Sequence, residues 1–157
     1  KVDKKEAISA LINMRLKLKE TKSELDEWEF KRGAGKIQDI ELLSQLYTLL
    51  SGEKTRDVIS GLMLGLNSSD LNDSQISKLI KTYKLLLAMN TTSRLIRDKN
   101  QVSQKVTNSG YSFLLKVTKH NTKNELINEL NILTSEVAHL IDNLLINKAA
   151  KRNPSRT

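Results

Sequence analysis

A single proline in 157 residues, at position 154, restricts the fold of this chain more than any other feature. Glycine is also sparse, at six residues. A multi-stranded sheet would need turn residues roughly every ten positions, and they are missing. Long helices joined by few loops satisfy the pattern. Aromatic residues are 4%, so a core has to come from Leu, Ile and Val, while 28% charged residues leave much of the surface to water. The expected fold is all-α, a helical bundle of about five to seven helices with a long heptad-patterned C-terminal helix. One helical domain is expected over 1–147, followed by a disordered basic tail over 148–157 with Lys151, Arg152 and Arg156 around Pro154.

The helices can be placed by their caps and apolar spacing. Asp3 with Glu6 has capping-box spacing, and Ile8, Leu11, Ile12, Leu18, Leu25 and Trp28 follow helical steps to about Lys31. Gly33-Ala34-Gly35 stops that helix. A second helix carries Ile37, Ile40, Leu43, Leu46, Tyr47 and Leu50 and ends at Ser51-Gly52. Thr55 is the expected N-cap of a short third helix with Val58, Ile59, Leu62 and Leu66. Asp73 or Ser74 caps a fourth, which buries Ile76, Leu79, Ile80, Tyr83 and Leu87. Residues 90–93, rich in Asn, Thr and Ser, are expected to break or bend it. A basic helical piece follows, with Leu95, Ile96, Val102, Val106, Phe113, Leu114 and Val117 inward, and with Gly110 at a kink or close contact. Thr122 with Glu125 opens the last helix. There Leu126, Leu130, Leu133, Val137, Leu140 and Leu144 recur at steps of 4, 3, 4, 3 and 4. That seam serves either helix packing within the bundle or dimerisation.

The formal charge of +8 is concentrated. Residues 78–119 hold nine basic side chains against one acid, Asp98, so this stretch carries the whole excess and the remainder is balanced. Lys78, Lys81, Lys84, Arg94, Arg97, Lys99, Gln101 and Lys105 are the expected polyanion- or nucleic-acid-binding residues. Arg94, Arg97, Gln101 and Lys105 fall on one helical stripe, and Arg and Gln reach phosphates and base edges. No aromatics interleave with them, which favours a duplex backbone over stacked single strands. The competing reading is a solvated face, neutralised by acids elsewhere such as those of residues 20–29.

Several chemistries find no support. Cysteine is absent, which removes disulfides, thiol catalysis and Cys-based zinc sites. Gly33-Ala34-Gly35-Lys36 is part of a phosphate-loop pattern, but Phe30 and Ile37 stand where Gly and Ser or Thr are needed. His120 and His139 have no partner ligands at metal-site spacing. Glu24, Asp26, Glu27 and Glu29 alternate around a helix rather than forming an acid/base pair. No cofactor, no metal and no catalytic residue are expected, and the chain is not expected to be an enzyme. The apolar run 59–66 is too short to cross a bilayer, and no signal peptide is visible. A start at Lys1 rather than Met suits a fragment or a processed product.

Leu85-Leu86-Leu87, Asn90-Thr91-Thr92, Leu95-Ile96, Val102, Val106 and Tyr111-Ser112-Phe113-Leu114-Leu115 together resemble one known helical family. It is the domain shared by the N-terminus of the elongation factor TFIIS and the integrase-binding domain of LEDGF. With Arg15-Leu16-Lys17-Leu18 and residues 42–50 as its first helices, the resemblance covers about residues 8–117. It implies a chromatin- or transcription-associated module that captures short disordered peptides between helix loops, and it assigns no individual binding residue.

The expected function is a non-enzymatic interaction module of a nuclear assembly, taking a protein partner (a disordered peptide or a helix) and touching DNA or RNA backbone through its basic face. The alternatives are a nucleic-acid-binding subunit of a ribonucleoprotein or DNA-processing complex, and a structural or sensory dimerising bundle. The expected location is intracellular, with the nucleus favoured and no membrane contact.

Overall fold

A computed structural model of the chain describes residues 3–20, 28–96 and 108–150. Among these residues there are six helices and no strand, an all-α bundle: α1 (Lys4–Glu20), α2 (Ile37–Ser51), α3 (Val58–Asn67), α4 (Asp73–Ile96), α5 (Asn108–Thr118) and α6 (Lys123–Ala150). None is long and apolar enough to cross a membrane.

Local chemistry sets most of the helix ends. The Asp3 carboxylate accepts the Lys5 N–H at 2.8 Å, capping α1. For α3 the cap is Asp57, not Thr55: Asp57 Oδ1 accepts the Ser60 N–H at 2.7 Å, while the Thr55 hydroxyl lies 3.0 Å from that of Thr48. For α4 it is Asn72, one residue before the expected caps. Its side chain accepts from Gln75 N–H at 2.9 Å, and Gln75 Oε1 accepts from Asn72 N–H at 3.0 Å, a reciprocal capping box. At α6, Thr122 Oγ1 accepts the Glu125 N–H at 3.1 Å and Glu125 accepts the Asn121 N–H at 3.0 Å. Two helices end without glycine, since Ser69 and Lys119 each take a left-handed conformation at φ 59.

The first helix is shorter than its apolar spacing suggests. Residues 28–36 form a looped segment, because Glu29 Oε1 accepts the backbone N–H groups of Lys31 and Arg32 at 2.8 and 2.9 Å and bends the chain there. Trp28 therefore sits in a turn, edge-on to buried Phe30 at 5.7 Å and tilted against Tyr111 of α5 at 5.6 Å. The loop is pressed onto α6 at Gly35, which has φ +73. A Cβ there would lie 1.9 Å from the Thr134 carbonyl oxygen, so only glycine fits. Leu25 lies outside the described residues.

The core joins all six helices, with its most deeply buried residues drawn mainly from α2, α3, α4 and α6. Ile40, Leu62, Leu79, Leu86, Met89, Leu126 and Val137 are all fully buried. Gly61 lets α3 lie directly on α2, since a Cβ there would meet Ser44 Oγ at 2.0 Å. α4 and α6 run antiparallel: Asp70, Lys78 and Lys81 pair in that order with Lys148, Glu136 and Glu129.

Contrary to expectation, α4 continues unbroken through residues 90–93. The Ser93 hydroxyl donates to the Asn90 carbonyl at 3.1 Å, and Thr92 and Ser93 are buried against neighbours, so tertiary packing overrides the local preference. Leu87 is exposed rather than core, and Leu86 and Met89 take the inward positions. Among the residues of α5 whose burial is described, only Leu114 and Gly110 are buried. Phe113 and Val117, expected inward, are 49% and 43% exposed. Leu95 and Ile96 lie at the helix end and nothing is described of their side chains, while Val102 and Val106 lie outside the described residues. At the other terminus α6 runs to Ala150. Lys148, expected to begin the tail, packs into the bundle with its ammonium on Asp70 and 5.4 Å from the Tyr47 ring centre.

Candidate polyanion-binding face

With Leu79, Leu86 and Met89 turned inward, the register of α4 puts its cations on the outer side. The structure divides the expected set. Lys78 Nζ lies 2.6 Å from Glu136 Oε2, and Lys81 Nζ lies 2.5 Å from Glu129 Oε1. Both acids belong to α6. Of residues 20–29, the expected source of counter-charge, 21–27 lie outside the described residues and Glu29 accepts from its own loop. Such exposed pairs contribute at most about 1 kcal/mol each, but they cancel charge locally. Lys84 and Arg94 on α4, and Lys116 and Lys119 at the end of α5, are exposed and form no ion pair among the described residues. Arg97, Lys99, Gln101 and Lys105 lie outside the described residues, so only Arg94 of the basic stripe is placed.

The electrostatics of this face follow from where the carboxylates go. α4 from Lys78 onward and the whole of α5 contain no acid. All four acids of α6 are engaged. Glu125 accepts the Asn121 N–H, Glu129 bonds Lys81 and the His120 ring, Glu136 pairs with Lys78, and Asp142 pairs with Arg15. Hydrogen bonds from Lys81 and His120 hold the Glu129 carboxyl below the usual carboxylate range, against a smaller opposing effect of burial. The His120 side chain is buried, with Nε2 on Glu129 and Nδ1 making no hydrogen bond among the described residues.

The heptad seam is occupied inside the chain. Leu126, Leu130, Leu133, Val137 and Leu144 are buried and Leu140 is half-buried. Facing them, α4 presents Leu79, Thr82, Leu86, Met89 and Ser93 at steps of 3, 4, 3 and 4, all buried. Two polar members hide this second seam from an apolar pattern.

A buried charge cluster escaped sequence reading altogether. Arg15 of α1 donates to Asp39 of α2 through Nε at 2.7 Å and Nη2 at 3.1 Å, to the Ala138 carbonyl at 3.1 Å, and to Asp142 of α6. The side chains of Arg15 and Asp39 are only 6% and 1% exposed. Asp39 also accepts the Gly35 N–H at 2.7 Å. Burial alone would make Arg15 easier to deprotonate, but the two carboxylates outweigh it and raise its pKa. The cluster ties together three helices and a loop. The one signal for it is that Arg15 follows Ile8 and Leu11 at steps of 3 and 4, a core position. An apolar groove of about 180 Å³, lined by Ile12, Leu16, Leu145 and Ile146, opens above it. A wider groove of about 530 Å³ lies between α2 and residues 55–58. Among the described residues no three His, Cys, Asp or Glu side chains converge on a common point suited to a metal ion. No protein-family model, curated protein or solved structure matches this chain, and the functional reading rests on the residues themselves.

Proposed function

We propose that this chain is a non-enzymatic helical module that binds a negatively charged macromolecular partner through the outer face of α4 and α5. One observation carries the reading: every carboxylate of α6 is already engaged, while Lys84, Arg94, Lys116 and Lys119 stay exposed and without an ion pair among the described residues. A face left positive in this way attracts polyanions over a Debye length of about 8 Å at physiological salt. The partner we favour is an acidic protein segment in a nuclear chromatin- or transcription-type assembly, with nucleic acid backbone touching the same face. The nuclear setting rests on the resemblance across residues 79–117 alone. The basic stripe that Arg94 begins supports the second reading, a helical nucleic-acid-binding subunit. Burial of the seam within the bundle gives less support to the third reading, a structural or sensory bundle that dimerises through α6.

The test is charge reversal. Lys84→Glu combined with Arg94→Glu should weaken binding of a fluorescein-labelled acidic peptide, or of a labelled 20-base-pair duplex, by about tenfold or more at low salt, with the helical circular dichroism unchanged. Binding of both probes that is unchanged by the double reversal would move the site elsewhere.

A further inference from the structure

We propose that the outer face of α5 is a docking ridge for an acidic amphipathic helix of a partner protein. The proposal rests on the reading of the α4–α5 face as a binding surface and adds the class of partner. Phe113 and Val117 are 49% and 43% exposed, although Leu114 beside them is fully buried. Four residues apart, they stand one above the other on the same side of the helix. Lys116 shares that side and is exposed, and Lys119 follows at the helix end.

The chemistry selects the occupant. A phosphate backbone offers the cations a partner but gives Phe113 and Val117 nothing apolar to cover them. A second copy of this ridge would bring Lys116 and Lys119 against their own counterparts. An acidic amphipathic helix meets both demands. Its apolar stripe covers Phe113 and Val117, and carboxylates along its edge pair with Lys116 and Lys119. Among the described residues no acid competes for the site: α5 and residues 119–124 contain none, and Glu125 accepts the Asn121 N–H.

The experiment titrates the full chain with four labelled probes. They are a helical peptide with leucines at i, i+4 and i+7 flanked by glutamates, the same peptide with serines in place of the leucines, a 20-base-pair duplex, and phosphatidylserine vesicles. The leucine peptide is expected to bind about tenfold or more tightly than the serine peptide, since roughly half a phenylalanine and half a valine leave water. Phe113→Ala should erase that difference without moving the serine peptide's own binding, and Lys116→Glu should weaken both peptides. Circular dichroism and Trp28 emission report folding, and Val117→Ala carries the same test if Phe113→Ala unfolds. Equal binding of the two peptides, or a leucine preference that survives both substitutions, overturns the proposal. Duplex binding in that case leaves the positive-face reading standing without this partner. Phe113-dependent binding to vesicles but not to the peptide overturns it in favour of a lipid surface. Binding of none of the probes removes both readings.

Discussion

A guanidinium stays charged when it is taken out of water, so its burial is tolerable only where carboxylates replace the lost hydration, and Arg15 meets that condition with Asp39 and Asp142. Arg15→Met leaves the Asp39 carboxylate, at 1% exposure, with the Gly35 N–H but no countercharge from Arg15. It should cost about 3–5 kcal/mol of unfolding free energy in urea titration. Adding Asp39→Leu should return a large part of that loss, because an apolar pair of similar volume has no charge to strand. A loss below about 1 kcal/mol, or a double variant no better than the single one, would mean that water reaches the cluster. Single residues were unevenly legible in the sequence. Asp3 and the Thr122–Glu125 pair act over two or three positions and could be read directly. Arg15, Asp39 and Asp142 are separated by 24 to 127 residues, and nothing local distinguishes a buried arginine from a surface one. The same distance hid the partners of Lys78 and Lys81.

At the scale of elements, α4 and α6 form the axis of the bundle, and their seam explains why a heptad repeat occurs in a single chain. Leu126→Ala, at a fully buried position, should destabilise by about 2–5 kcal/mol. Ile132→Ala, on the same helix at 59% exposure, should change stability by no more than about 0.5 kcal/mol. Similar effects at the two sites in thermal unfolding would show that α6 does not bury the face described. The repeat on α6 was visible from spacing, whereas Thr82 and Ser93 masked its counterpart on α4. The end of α1 and the exposure of Phe113 and Val117 were misjudged for one reason. Apolar periodicity counts side chains but does not say whether a neighbouring element arrives to cover them. At the α5–α6 corner, Glu129 carries a pH dependence. Its carboxyl is held below its ordinary value of 4.5, so the stability it supplies is complete above that pH and is lost as the pH falls through the lowered value. Glu129→Gln should therefore lose less melting temperature than the unmodified chain between pH 5 and pH 3 (about that window). Parallel curves would show that the corner is not proton-linked.

Across the whole molecule, helix content and bundle class followed from the scarcity of breakers, while the proposed function depends on how charge is distributed after folding. The sequence places an excess of +8 in residues 78–119. Folding removes Lys78 and Lys81 from that excess by pairing them with α6, and leaves Lys84, Arg94, Lys116 and Lys119 facing outward. The most direct measurement is fluorescence anisotropy of a labelled duplex titrated with the unmodified chain across a salt series. If these four cations act together, the logarithm of the binding constant should fall with the logarithm of salt at a slope of about −3 or steeper. Binding that is absent at low salt, or a slope near zero, would contradict the account, because the positive face would then be neutralised within the fold.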